Sequence, residues 1–268
     1  MENILEVKNL TKKFGEFTAV NSISFSIKPG EIFGVVGPNG AGKTTTIKIL
    51  STLIYPSSGE AFIGGYDVIK RGSKVRRILG YVPQLLSADG NLTGYENLLM
   101  FAKLYDIHKN ERGTRLKESL EFMGLSESAD KLVKQYSGGM IRRLEIAQAV
   151  LHRPLILFLD EPTVGLDPIA REGVWDYVRA LSEKGTTVLL TTHYMEEADA
   201  ICDRVAIMNL GNIAAIGSPM ELKLSVGNEE TSLNKVFEFY VGKSIQSEES
   251  GGKYKDVSRT RRTVRRLG

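Results

Sequence analysis

Gly37-Pro38-Asn39-Gly40-Ala41-Gly42-Lys43-Thr44 fits the pattern G-x-x-x-x-G-K-[ST], a loop chemistry suited to gripping phosphate oxygens. Its glycines let successive backbone N–H groups turn toward an anion, and the positive end of a following helix adds to the attraction. Lys43 is placed to reach the β- and γ-phosphates of a nucleotide, and the Thr44 hydroxyl to complete a magnesium shell. Asp160 and Glu161 come directly after an apolar run, residues 155–159. In phosphoryl transfer an acid at such a strand end holds the magnesium ion, and its neighbour can act as general base toward water.

Three weaker signals accompany these. Ser137-Gly138-Gly139 opens a helical stretch and offers a hydroxyl beside exposed N–H groups, although the same triplet serves in many helix caps. Gln84 follows a short strand and, alone, reads more readily as a surface amide than as a ligand. His193 follows another strand and is either a γ-phosphate partner or an ordinary loop histidine.

The elements needed to position these residues are visible in the hydrophobic pattern. Leu5, Val7 and Leu10, then Val20, Ile23, Phe25 and Ile27, approximate the period of two of half-buried strands. Ile32-Phe33-Gly34-Val35-Val36 leads into the phosphate loop, and residues 44–53 read as the helix after it. From residue 93 to about 152 the apolar spacing becomes helical. Thr93-Gly94-Tyr95-Glu96 forms a capping-box pattern, a second helix is expected over 115–123, and a third follows Ser137. An α/β alternation then resumes, with strands at 155–159, 187–191, 205–208 and 213–216 and helices at 170–182 and 195–201. This predicts a doubly wound parallel sheet interrupted by a helical insert. A short helix after Pro219 and one over 233–241 close the fold, and residues 244–252 read as a linker.

At 268 residues, 42% apolar and 25% charged, the chain has the composition of a globular protein with a sizeable core. No run approaches the roughly 18 apolar residues of a membrane span. The first residues carry no basic and apolar stretch of the secretory type. The single Cys202 excludes an internal disulfide framework and fits a reducing compartment. Net charge is +3, but residues 253–268 alone carry seven Lys or Arg and one Asp, which leaves the remainder at −3. The basic balance belongs to the tail, so no nucleic-acid partner is expected for the body. The tail itself reads as a disordered, solvated arm, with a short basic helix on anionic lipid as the alternative.

The order of motifs, from 37–44 through Gln84, Tyr-Ser-Gly-Gly-Met at 136–140, the strand and acids at 155–161, Gly165-Leu166-Asp167-Pro168 and His193, resembles the ATP-binding cassette (ABC) ATPases over nearly all of residues 3–242. The resemblance implies an α/β fold: a phosphate-loop (RecA-like) core, an N-terminal antiparallel β subdomain, and an α-helical subdomain inserted at about 86–153. A linker and basic tail then occupy 243–268. It also implies ATP and Mg2+ as ligands. Residues 37–45, Thr45 included, hold the phosphates. Thr44, Gln84 and Asp160 hold the metal, with Gln84 also touching the attacking water. Glu161 is the catalytic carboxylate, His193 the γ-phosphate sensor, and Phe14 the ring that stacks on adenine. Asp167 lies in the loop that crosses a dimer interface.

In that family two cassettes pack head to tail, each ATP lying between the phosphate loop of one copy and the Ser137-Gly138-Gly139 equivalent of the other. The implied partners are a second ATPase subunit, as a homodimer on ATP binding, and a separate transmembrane permease. The implied place is cytoplasmic, peripheral on the inner face of the cell membrane. Two residues depart from the commoner Leu-Ser-Gly-Gly-Gln: Tyr136 and Met140. Together with Arg-Arg-Leu-Glu-Ile-Ala at 142–147 and Thr-Thr-His-Tyr-Met-Glu-Glu-Ala at 191–198 they resemble the drug-efflux, daunorubicin-resistance-like branch, and imply export. Two rival classes are a relative acting on nucleic acid or ribosomes and a nucleotide-binding regulator without turnover. About fifty residues between Gln84 and Tyr136 are too few for the long coiled coil of chromosome-maintenance relatives, and Glu161 argues for turnover.

Overall fold

A computed structural model describes residues 2–249. In chain order its elements begin with β1 (Leu5–Phe14), β2 (Phe17–Ile27), β3 (Ile32–Val36), α1 (Lys43–Leu50), β4 (Ser58–Ile63) and β5 (Tyr66–Asp67). Then come α2 (Gly72–Ile78), β6 (Leu79–Val82), α3 (Gly94–Leu104), α4 (Lys109–Phe122) and α5 (Gly138–Val150). The chain continues through β7 (Ile156–Asp160), α6 (Pro168–Glu183), β8 (Thr187–Thr192), α7 (Met195–Ile201), β9 (Arg204–Asn209), β10 (Asn212–Gly217), α8 (Pro219–Val226) and α9 (Leu233–Glu249).

Two sheets result. An antiparallel one has the order β2-β1-β4-β5, and the larger one has the order β10-β9-β3-β8-β7-β6. Within the larger sheet β9, β3, β8, β7 and β6 run parallel, and β10 adds antiparallel to β9 at the edge. Strands β3, β7 and β8 are buried on both faces and largely apolar, because both faces are covered. Phe33, Val35, Ile156 and Phe158 point into a core shared with α1 and the antiparallel sheet. Ile32, Val36, Leu157 and Leu159 point the other way, against α3 to α9. The rings of Phe25 and Phe33 stack at 5.3 Å where the two sheets meet.

The period of two along β1 and β2 breaks where the spacing of buried residues widens to three, at Val7 to Leu10 and at Val20 to Ile23. The register shifts within β1 between Val7 and Leu10, and Asn9 (φ 48°) and Ser22 (φ 50°) adopt left-handed backbone at these breaks. Such bulges return Leu10 and Ile23 to the core face. The side chains support the irregularity: Asn9 N–H donates to Ser24 Oγ (2.8 Å) and Ser22 N–H to Thr11 Oγ1 (3.0 Å).

Three elements differ from expectation. Helix α4 starts at Lys109 rather than 115 because its first turns, Lys-Asn-Glu-Arg, have no apolar residue to reveal a period; Glu111 and Arg115 pair across one turn at 2.7 Å instead. Helix α2 has only Val75 buried and left no periodic signal. Helix α9 continues through Glu249, so residues 243–249 are helical rather than linker. The basic segment 253–268 lies outside the described residues.

Candidate functional site

The parallel strands deliver the chemistry at their C-terminal ends. After β3 the chain turns through the phosphate loop, where Gly37 N–H donates to Thr192 O at 3.2 Å and so fastens the loop to β8. Gly42 caps α1 with φ 107°, and a Cβ there would meet Ala19 O at 2.4 Å, so no other residue fits. Lys43 is 4% exposed, as is Glu161. Its ammonium donates to Gly37 O (2.8 Å) and Pro38 O (3.1 Å) and pairs with Glu161 Oε1 at 3.1 Å.

Asp160 ends β7 and accepts two hydroxyls on Oδ1, from Thr191 at 2.6 Å and from Thr44 at 3.2 Å. Burial pushes its carboxyl above the ordinary 3.8, and the Thr191 and Thr44 hydroxyls oppose that shift. Glu161 takes a left-handed backbone (φ 50°), unusual outside glycine, and is pinned there by its N–H donating to both Thr191 O and Thr191 Oγ1 at 3.1 Å. His193 Nδ1 lies 2.8 Å from Glu161 Oε2. Thus Thr44, Lys43, Asp160, Glu161 and His193 form one connected cluster.

The cluster opens on a cleft of ≈ 340 Å³ lined by residues 39–45, Phe17, Ala19, Gln84 and Glu161. Gln84 reaches it from the exposed loop after β6. Phe14 does not line it. Phe17, its antiparallel partner across the β1–β2 hairpin, does; Phe14 is 51% exposed with the Lys12 ammonium 4.9 Å from its ring centre.

Ser137, Gly138 and Gly139 are not brought to this cleft. Ser137 N-caps α5, its Oγ accepting Met140 N–H at 3.2 Å, and Ser137 and Gly138 are exposed. Where a Cβ would sit, Gly138 faces Leu166 and Gly139 faces Ala170, so the triplet packs on the start of α6, which Asp167 caps. The unusual Tyr136 is buried and donates to Ser128 O at 2.6 Å; Gly94 leaves room for it, since a Cβ there would lie 2.2 Å from the phenol oxygen.

Several polar residues organise the site in ways their sequence motifs do not reveal. Thr191 ties the two acids together. Glu197, fully buried, accepts from Thr163 Oγ1 and Trp175 Nε1, both at 2.9 Å, and joins the loop after Glu161 to the helix after His193. Burial raises its carboxyl above the ordinary 4.5, against the hydrogen bonds from Thr192, Trp175 and Thr163. Arg142, Glu145 and Gln148 line one side of α5, each 2% exposed. The recurrence of Arg142, Glu145 and Gln148 at every third position of α5 was the available signal.

The family model for ABC transporters matches residues 20–164, more than half of the chain. The chain belongs to the ABC transporter family. This ABC ATPase is 42% identical to the linearmycin resistance ATP-binding protein LnrL of Bacillus subtilis (strain 168), over 84% of this chain and 73% of the relative. It is 45% identical to the daunorubicin/doxorubicin resistance ATP-binding protein DrrA of Streptomyces peucetius, over 84% of this chain and 68% of that one. Among solved structures, cbiO1 from Clostridium perfringens, part of the ABC transporter complex cbiONQ, superposes with a TM-score of 0.78 at 25% identity, covering 93% of this chain and 100% of that chain. A dimeric post-hydrolysis ATP-binding cassette bound to ADP and Pi gives 0.71 at 30% identity, over 80% and 98% of the two chains. This ABC ATPase is an ATP-binding, ATP-hydrolysing subunit of a transporter. Among the described residues no helix is long and apolar enough to cross a membrane.

Proposed function

We propose that two copies of this ABC ATPase clamp Mg-ATP head to tail and drive export through a separate membrane subunit, from the cytoplasmic face of the membrane. The division of the site carries this reading: Lys43, Thr44, Gln84 and Glu161 line one cleft, with Asp160 held behind it on the Thr44 hydroxyl, while the exposed N-terminus of α5 at Ser137 stands apart from it. An uncovered helix N-terminus with a hydroxyl suits a triphosphate presented by another copy.

Within each half, residues 37–45 cradle the phosphates and Lys43 exchanges its Glu161 partner for phosphate oxygen. Thr44, Asp160 and Gln84 offer oxygen ligands of the kind Mg2+ prefers, and Asp160 Oδ1 already gathers the Thr44 hydroxyl. When bound, the ion neutralises charge on the β- and γ-phosphates. Glu161, freed from Lys43 but pinned by Thr191, takes the proton of the attacking water, and His193 orients its second oxygen. Phe14, exposed at the hairpin tip, stacks on the adenine. Residues 1–242 act as the ATPase domain, with the helical part at about 86–153 as its moving portion.

The resistance functions in the names of LnrL and DrrA support export of antibiotic-like molecules. The exposed Leu85 and Leu86 beside Gln84, and a cleft between Arg76, Arg77 and Leu104, supply surface for a cytoplasmic helix of the membrane subunit. Glu161→Gln tests the central claim: ATP binding persists, turnover falls about 1000-fold, and light scattering with ATP finds a stable dimer. Turnover at the wild-type rate, or a monomer at saturating ATP, refutes it.

A further inference from the structure

The loop carrying Gln84 has almost no apolar anchorage. Leu85 and Leu86 are exposed, and its backbone polar groups must find partners elsewhere. Through residue 88 those partners come from one row of α5, and Asp89 is held by Asn97 of α3. Arg142 Nη1 donates to Pro83 O at 2.8 Å and Nη2 to Gln84 O at 3.0 Å. Glu145 Oε1 accepts from Ser87 N–H, from Ser87 Oγ (3.2 Å) and from Ala88 N–H (3.4 Å). Gln148 Nε2 donates to Asn97 Oδ1 at 3.2 Å, and the same Asn97 oxygen accepts Asp89 N–H at 3.0 Å while its amide donates to Asp89 O at 3.0 Å. Arg142 and Glu145 also pair with each other at 2.9 Å.

The positions 142, 145 and 148 advance three residues at a time, a rise of about 9 Å along the helix. The loop is therefore laid against α5 from 83 to 88, and Gln148 reaches Asp89 only through Asn97 of α3. A buried charged pair is poor value as stability alone, since well-packed apolar residues usually serve as well. It does fix geometry: a guanidinium on two successive carbonyls permits one orientation of the peptide between Pro83 and Gln84.

We propose that Arg142 and Glu145 are positioning residues for Gln84, forming a strap that makes its loop move as one body with the α5 N-terminus. The inference rests on the proposed roles of Gln84 and Ser137. A contact made by Ser137 with the nucleotide of the second copy then shifts Gln84 in its own cleft, together with the apolar pair Leu85 and Leu86 on the outer surface. Arg142 and Glu145 lie on the helix that Ser137 caps, so the displacement passes directly to residues 83–88.

The test is the double variant Arg142→Met, Glu145→Leu, which removes both charges at similar volume and leaves neither buried alone. Its expected behaviour is a retained fold, unchanged ATP affinity, and a kcat lowered by about tenfold or more through the displaced Gln84. The Ser87 and Ala88 amides should exchange with deuterium far faster than in the wild type, while protection in β3 and β7 stays the same. Arg142→Lys, which keeps a donor, should recover part of kcat. Wild-type kcat with protected Ser87 and Ala88 amides overturns the proposal, and so does a fall in ATP affinity parallel to kcat. The exchange measurement is made without nucleotide, which separates a failed strap from a failed assignment of Gln84.

Discussion

The strand ends around Lys43 and the helix end at Ser137 are the two parts of the proposed site, and they are built on different plans. At the strand ends, strands buried along their whole length fix the backbone: β3 carries no polar side chain, β7 only its last residue Asp160, and β8 has Thr187 at its start and Thr191 and Thr192 at its end. Asp160, Thr191 and Lys43 inherit their positions from a sheet buried on both faces. Around Ser137 the core packing of α5 through Leu144, Ile146 and Ala147 is supplemented by polar contacts: Asp167 caps its neighbour α6, Tyr136 reaches Ser128, and Arg142 with Glu145 grips the Gln84 loop. Apolar packing excludes other arrangements cooperatively, whereas hydrogen bonds can be exchanged one at a time with modest net change. The first plan suits a fixed cradle and the second suits a part that shifts.

The largest effect that separates the two regions concerns Lys43. Lys43→Ala should weaken ATP binding to the single chain by about 100-fold, the loss of a charge-assisted contact or two, while Ser137→Ala leaves that affinity alone and lowers only ATP-driven dimerisation. Nucleotide titration below the dimerisation range decides it, and equal losses in both variants would erase the distinction. A smaller effect sharpens the cradle's outer edge. Phe14→Ala should weaken ATP by about tenfold at most, from a lost ring stack, with inorganic triphosphate unaffected; Phe17→Ala should do less. The reverse order would move the base onto Phe17, which already lines the cleft.

The smallest effect falls on Glu197, at the back of the strand-end region. Its carboxyl is raised in the folded state, so the stability it adds is complete below the ordinary 4.5 and is lost as pH rises through the folded value. Melting temperature of the wild type should therefore fall relative to Glu197→Gln across that window, by on the order of a few °C. Parallel melting curves for the two proteins would show that burial leaves Glu197 untouched.

The same contrast explains what the sequence made legible. Apolar runs flanked by glycine, acid or histidine announced β3, β7 and β8, and hence Lys43, Asp160, Glu161 and His193 with them. The breaks in spacing at Val7–Leu10 and Val20–Ile23 also stood in plain sight, but only the bulges at Asn9 and Ser22 gave them meaning. Arg142, Glu145, Gln148 and Glu197 stayed hidden because periodicity weighs apolar residues, and a charged residue in a helix is ordinarily assigned to water. Helix α9 ran past Val241 because Gln and Glu propagate a helix well, whatever their resemblance to linker composition.

Glu161 holds a backbone shape that glycine or asparagine would adopt with less strain. An engineer seeking a hardier protein would change that position first and would forfeit the carboxylate in doing so. With the role proposed for Glu161, durability and turnover compete there at a single peptide.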